Sequence, residues 1–110
     1  MVSEKAILDY LVQFDDVTVT EQLIEDKQSM VAKRGERICV VVEKNTNPLR
    51  VELRCDRKLS ETLQARYESV MESRVLGRNG IEIICSGQLS DDEVMDLVRH
   101  GYEMSAPETE

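Results

Sequence analysis

The chain has 110 residues, 41% of them hydrophobic and 33% charged, with 22 acids against 14 bases and a net charge of −8. That length suits one domain with a modest core, no apolar run approaches the ~18 residues of a bilayer span, and Met1-Val2-Ser3-Glu4-Lys5 lacks the basic-then-apolar pattern of a secretory signal. Three cysteines without CxxC spacing suit a reducing compartment, so the expectation is one soluble cytoplasmic domain over residues 1–105 with an acidic tail at 106–110.

From Ser3 to Phe14 the residues Ile7, Leu8, Leu11, Val12 and Phe14 recur at helical spacing, with Ser3 as cap and Asp15-Asp16 as stop. Val17 to Gln28 gives mixed signals. Thr18 and Glu21 match a capping box, while Val17 and Val19 alternate with threonines as in a strand, so the stretch reads as an irregular connection with some extended character. Ser29–Lys33 and Glu36–Glu43 flank Arg34-Gly35 as two antiparallel strands around a turn, and the second is rich in β-branched residues. Asn45-Thr46-Asn47-Pro48 is turn chemistry.

Arg50 to Cys55 alternates cleanly, with Val51, Leu53 and Cys55 on one side and Arg50, Glu52 and Arg54 on the other. Asp56 can cap a helix from Arg57 to about Val70, striped by Leu59, Leu63, Tyr67 and Val70. Ser73–Arg78 reads as a short strand leading into Asn79-Gly80, the strongest two-residue hairpin signal in the chain, and Ile81–Ser86 as the returning arm. Ser90 and Glu93 form a capping box ahead of Val94, Leu97, Val98, Gly101 and Tyr102. The element order is α-β-β-β-α-β-β-α. It predicts an α+β fold, a mainly antiparallel sheet with helices packed on one face.

These segments resemble the MmcQ/YjbR-like family, small bacterial proteins with a CyaY-like fold. The resemblance rests on Pro48-Leu49-Arg50-Val51-Glu52-Leu53-Arg54-Cys55-Asp56, on Leu59 to Val70, on Ile81 to Ile84, and on Gly87-Gln88-Leu89-Ser90-Asp91-Asp92-Glu93 through Gly101-Tyr102-Glu103. Family members usually carry a His-Trp pair before the strand at Ile81, where this chain has Asn79-Gly80. Members are commonly labelled DNA-binding by analogy with a double-wing fold. The resemblance implies a two-layer sandwich and an uncharacterised binding or interaction module. It implies no catalytic residue and no cofactor.

Charge is segregated along the chain. Residues 1–32 carry a net −5, residues 33–78 a net +4 and residues 79–110 a net −7. Only the middle segment can supply cations to phosphates. Its basic set is Lys33, Arg34, Arg37, Arg50, Arg54, Arg57 and Lys58. Of these, Arg37, Arg50, Arg54, Arg57 and Lys58 are the nucleic-acid candidates, with Arg37, Arg50 and Arg54 expected to share the helix-free sheet face. The alternative is a solvated face paired to Glu36, Glu43 and Glu52.

Cys39, Cys55 and Cys85 lie 16 and 30 residues apart, a spacing of buried thiols rather than of a zinc site. His100 reads as a surface residue near a helix C-terminus. Glu4, Asp9, Asp15, Asp16, Glu21, Glu25 and Asp26 have no calcium-loop spacing and read as solvated acids. No catalytic constellation is legible, so the chain reads as a non-enzyme without cofactor or metal. Cys39, Val41 and Ile84 alternate out of phase with the core-facing set. If Ile38, Val40, Ile83 and Cys85 face the core, these three leave apolar area on the open sheet face, either for a protein partner or a homodimer contact or covered in part by the N-terminal segment, with no membrane association.

Overall fold

In the computed structural model, which describes residues 2–107, Ser3 accepts a hydrogen bond from the Ala6 N–H and opens helix α1 (Glu4–Leu11). Four strands follow: β1 (Val17–Ile24), β2 (Lys27–Arg34), β3 (Arg37–Glu43) and β4 (Arg50–Arg54). Helix α2 (Arg57–Arg66), strands β5 (Val70–Ser73) and β6 (Gly77–Ile84), and helix α3 (Asp91–Met104) complete the order. The strands form one antiparallel sheet in the order β1-β2-β3-β4-β6-β5. The α+β expectation holds, with one more strand than the sequence reading counted. Residues 108–110 of the expected acidic tail lie outside the described residues.

The additional strand is β1. Its eight residues pair in unbroken register with β2, from Val17 opposite Arg34 to Ile24 opposite Lys27. The β-branched Val17–Thr20 run favours the extended chain. The hairpin turn is Glu25-Asp26, both left-handed (φ 51° and 65°), the backbone that a two-residue type I′ turn requires. Glycine or asparagine usually signals such a turn, and neither is present here.

Two further boundaries differ from expectation. Helix α2 stops at Arg66, because Tyr67 is extended (φ −125°, ψ 124°), and Val70 opens β5. Asn79-Gly80 is not a turn but part of β6, with Gly80 opposite Arg54. The chain reverses just before it, at Gly77 (φ +60°). Gly80 is required by space: a Cβ there would lie 2.6 Å from the Leu53 carbonyl oxygen and 2.8–2.9 Å from the Leu76 side chain.

One face of the sheet carries Val40, Val42, Val51, Leu53, Ile81 and Ile83, packed with Ile7 and Leu11 of α1 and Val94, Leu97 and Val98 of α3. Helix α3 lies over β3 and β4, and α2 over β5 and β6. The capping box of α3 forms with both bonds, Ser90 Oγ accepting from the Glu93 N–H and Glu93 Oε1 from the Ser90 N–H. A register shift between Ala32 and Lys33 turns Cys39 into this core beside Val40. Val41 on the other face is also buried. The apolar area expected on the open face therefore shrinks to the half-buried Ile84. No helix among the described residues is long and apolar enough to cross a membrane.

Candidate functional site

The five candidate cations do not share one face. Arg50 lies on the helix-free side of β4, where its Nη1 donates to Glu82 Oε2 at 2.8 Å. Glu82 sits directly opposite Glu52 across the β4–β6 ladder, and both are buried. Like charges so placed repel, and each carboxylate has its own donors. Glu52 Oε1 accepts from the Ser73 hydroxyl at 2.7 Å and the Val75 N–H at 3.1 Å. Glu82 accepts from Arg50 and, through Oε1, from Arg74 Nε at 3.0 Å.

Arg74 is the residue that closes this face. Its other nitrogens lie 3.4 Å from Glu25 Oε2 in the β1–β2 turn and 3.7 Å from Glu43 Oε2. The hydrogen bond to Glu82 is the main cause raising its pKa above the ordinary arginine value, against the opposing effect of burial. Lys27 Nζ reaches Glu43 Oε1 at 3.2 Å, while Glu43 Oε2 is buried without a hydrogen bond. The cavity beside it is only about 10 Å³. The helix-free face is thus an ionic network bridged by Arg74, and Arg50 belongs to it. A buried carboxylate holds Arg50 there, apart from the pocket that the other arginines line.

The remaining arginines converge elsewhere. Arg37 opens β3, Arg54 closes β4 and Arg57 opens α2; together with Cys55, Asp56, Asn79 and Met104 they line a pocket of about 300 Å³. Strands β3 and β4 are in register only from Val40–Leu53 to Val42–Val51. Beyond that the Arg54 side chain spans between them, its Nε donating to the Ile38 carbonyl at 3.0 Å. Burial, and then the charge of Arg37, push the Arg54 pKa below the ordinary arginine value. It stays a cation at neutral pH, held beside another cation.

Asp56 sets the start of α2, where its carboxylate accepts from the Leu59 N–H at 3.2 Å. Its own N–H donates to His100 Nε2 at 3.2 Å. His100 is half-buried and joins α3 to the pocket wall, with Nε2 acting as acceptor. The N-terminus of α2 adds its partial positive charge to the pocket. Lys58 is exposed on the same first turn.

Two neighbouring hollows share residues with this pocket. One, about 380 Å³, is lined by Arg37 together with Asp16, Arg34, Gly35, Glu36, Ser105 and Pro107. The other, about 170 Å³, is lined by Arg57 together with Arg78, Ser60, Glu61, Gln64 and Glu72. The shared arginines make a track of three hollows, with Arg37 at one junction and Arg57 at the other.

Arg34 in the first hollow is tied down. Its Nε donates to Asp16 Oδ2 at 2.7 Å and its Nη1 to the Tyr102 carbonyl at 3.1 Å, with the guanidinium 4.1 Å from the centre of the Tyr102 ring. Tyr102 donates its hydroxyl to Asp16 Oδ1 at 2.7 Å and stacks with Phe14 at 4.0 Å. The Tyr102 hydrogen bond, then that of Arg34, holds the Asp16 carboxyl below its ordinary 3.8. This cluster joins the segment after α1, the end of β2 and the end of α3.

The other residues singled out by the sequence are accounted for locally. Cys39, Cys55 and Cys85 are buried free thiols, each pushed up to about 11 chiefly by burial. At such values the thiolate population is negligible near neutral pH. Of the N-terminal acids, Asp9 pairs with Lys5, Asp16 with Arg34, Glu21 with Lys44 and Glu25 with Arg74. Among the described residues, no group of three or more His, Cys, Asp or Glu side chains is placed to hold a metal ion. Arg74 and Arg78 were missed in the sequence. Arg78 was legible as the basic residue beside Asn79, whereas Arg74 is defined by partners as far away as Glu25.

No family model matches the chain, and no curated protein matches it. Among solved structures, the crystal structure of Deinococcus radiodurans protein DR2400, which carries a DUF419 domain, is similar with a TM-score of 0.77 at 19% identity. The match covers 93% of this chain and 77% of that one. At that identity the likeness is one of fold.

Proposed function

We propose that the chain is a non-enzymatic binding module of the MmcQ/YjbR-like kind, and that it takes the phosphate backbone of a single-stranded nucleic acid along the arginine track. The observation that carries this reading is the convergence of Arg37, Arg54 and Arg57 on one pocket, with two of them shared by the hollows on either side. Arg54 is held near Arg37 at a cost in charge repulsion, and a bound anion relieves that repulsion. Guanidinium forks suit phosphate oxygens geometrically as well as electrically.

The net charge of −8 bears on the footprint. An acidic molecule repels a polyanion everywhere except at a local basic patch, so contact is confined to few phosphates. About three neutralised phosphates correspond to a slope near −2 in log K against log salt for a single strand. Among the described residues the track carries no aromatic lining residue, which favours backbone contact without base stacking. The non-enzymatic part of the reading is supported by thiols pushed up to about 11 and by a His100 Nε2 engaged with the Asp56 N–H.

Fluorescence anisotropy of a labelled oligothymidylate at several salt concentrations tests the reading. Saturable binding with that shallow slope, lost in Arg54→Gln, is the expected result. Binding that ignores both salt and Arg54→Gln excludes the arginine track.

A further inference from the structure

The sheet has two edges, and they are built differently. The β5 edge is blunt: it has four residues and an irregular register between Glu72 and Ser73. The β1 edge has eight residues and no register break. Natural edge strands are commonly guarded by lysines, prolines, bulges or short length. Val17–Ile24 contains no lysine, arginine, proline or glycine. Its single charge, Glu21, is paired at 3.0 Å with Lys44 of the same chain, which reduces the repulsion between two approaching copies. Leu23, at 70% exposure, is the most exposed large apolar residue described.

We propose that β1 pairs antiparallel with β1 of a second copy about a two-fold axis through Thr20, joining the two six-stranded sheets into one. Val17 and Val19 lie on the helix side, where they pack against the core, and strand alternation places Glu21 and Leu23 there as well. Thr18, Thr20 and Gln22 take the other side. A continuous sheet with both helix layers on one side requires each residue to face one of like side. Centring on Thr20 meets that requirement. It sets Leu23 against Val17 of the second copy, Thr18 against Gln22, and Thr20 against itself, a threonine pair that sheets favour. Centring on Glu21 instead sets two carboxylates face to face. Centring on Val19 leaves Leu23 outside the paired residues.

This interface uses none of the arginine-track residues, so it stands or falls separately from the ligand. The test is light scattering and sedimentation equilibrium on the full chain and on two charge variants, with circular dichroism reporting the fold. Wild type is expected at twice the 12.6 kDa chain mass. Thr18→Lys with Gln22→Lys creates two like-charge contacts across the axis and weakens the dimer about tenfold. Thr18→Glu with Gln22→Lys sets opposite charges across it and restores the dimer. Both residues are exposed, so these substitutions leave the monomer folded. A wild type that stays monomeric at every concentration overturns the proposal. So does a dimer indifferent to the double lysine variant, or one that the charge-swapped variant fails to restore.

Discussion

Two groups of arginines in this small fold carry the same charge into opposite situations. Arg50 and Arg74 lie against Glu82, which is 1% exposed, and with Glu25, Glu43 and Lys27 they seal the helix-free face of the sheet. Arg37, Arg54 and Arg57 line an open pocket, where burial and then the charge of Arg37 push the Arg54 pKa down. The first group compensates buried carboxylates and so contributes to folding. The second lines the pocket at which a ligand is proposed. Residue type and local spacing are nearly the same in both; what distinguishes the first is the buried carboxylate of Glu82, supplied from elsewhere in the chain.

Substitutions in the two groups are expected to have opposite losses, one in stability and the other in binding. Arg74→Met is expected to have the largest effect, because it leaves Glu82 with one cation and Glu43 with a weaker set. Breaking a fully buried pair costs about 3–5 kcal/mol. Since Arg74 is 39% exposed, the expected loss is nearer about 2 kcal/mol after solvent screening. It is read as a lowered urea midpoint with oligonucleotide affinity unchanged. An unaltered midpoint breaks the comparison on its stability side.

Arg54→Gln is expected to do the reverse. Affinity for an oligonucleotide falls about tenfold or more, as for loss of a desolvated charged contact. Stability moves by less than about 1 kcal/mol, since loss of the Ile38 carbonyl bond is offset by relief from Arg37. Lys58→Gln, on the exposed rim, should weaken binding only about two- to threefold and flatten the salt slope by less than one unit. The smallest effect belongs to Tyr102→Phe, read as acid sensitivity. Asp16 has a lowered folded pKa, so its contribution is complete above 3.8 and is lost as pH falls through the lower folded value. Removing the Tyr102 hydroxyl, the first cause of that lowering, makes the variant lose less stability on acidification than wild type does.

Local chemistry was legible where both partners are close in sequence. Ser90 with Glu93, Ser3 with Ala6, and Asp56 with Leu59 all form the caps their spacing implies. The alternation of Val51, Leu53 and Cys55 gave the core side of β4. Strand β1 was obscured because its turn, Glu25-Asp26, adopts a left-handed backbone without the residues that advertise one. Asn79-Gly80 misled for the converse reason: the glycine answers to the Leu53 carbonyl across the ladder, not to a turn.

The site divides in the same way. Arg37, Arg54 and Arg57 were identifiable as cations near strand and helix ends, and the fold brings them together. The pairing of Arg50 was not legible, because Glu82, which engages it, lies 32 residues away. Nothing adjacent to Arg74 in sequence indicates the acids gathered around it. Glu43 and Glu52 read as ordinary polar positions of alternating strands, although both are buried.

The most direct measurement is the anisotropy titration of labelled oligothymidylate against wild type, Arg54→Gln and Arg74→Met at low salt, each verified as folded. Wild type and Arg74→Met are expected to bind, with a loss of about tenfold in Arg54→Gln. Equal affinity in all three proteins, or no binding by wild type where screening is weakest, contradicts the proposed arginine track.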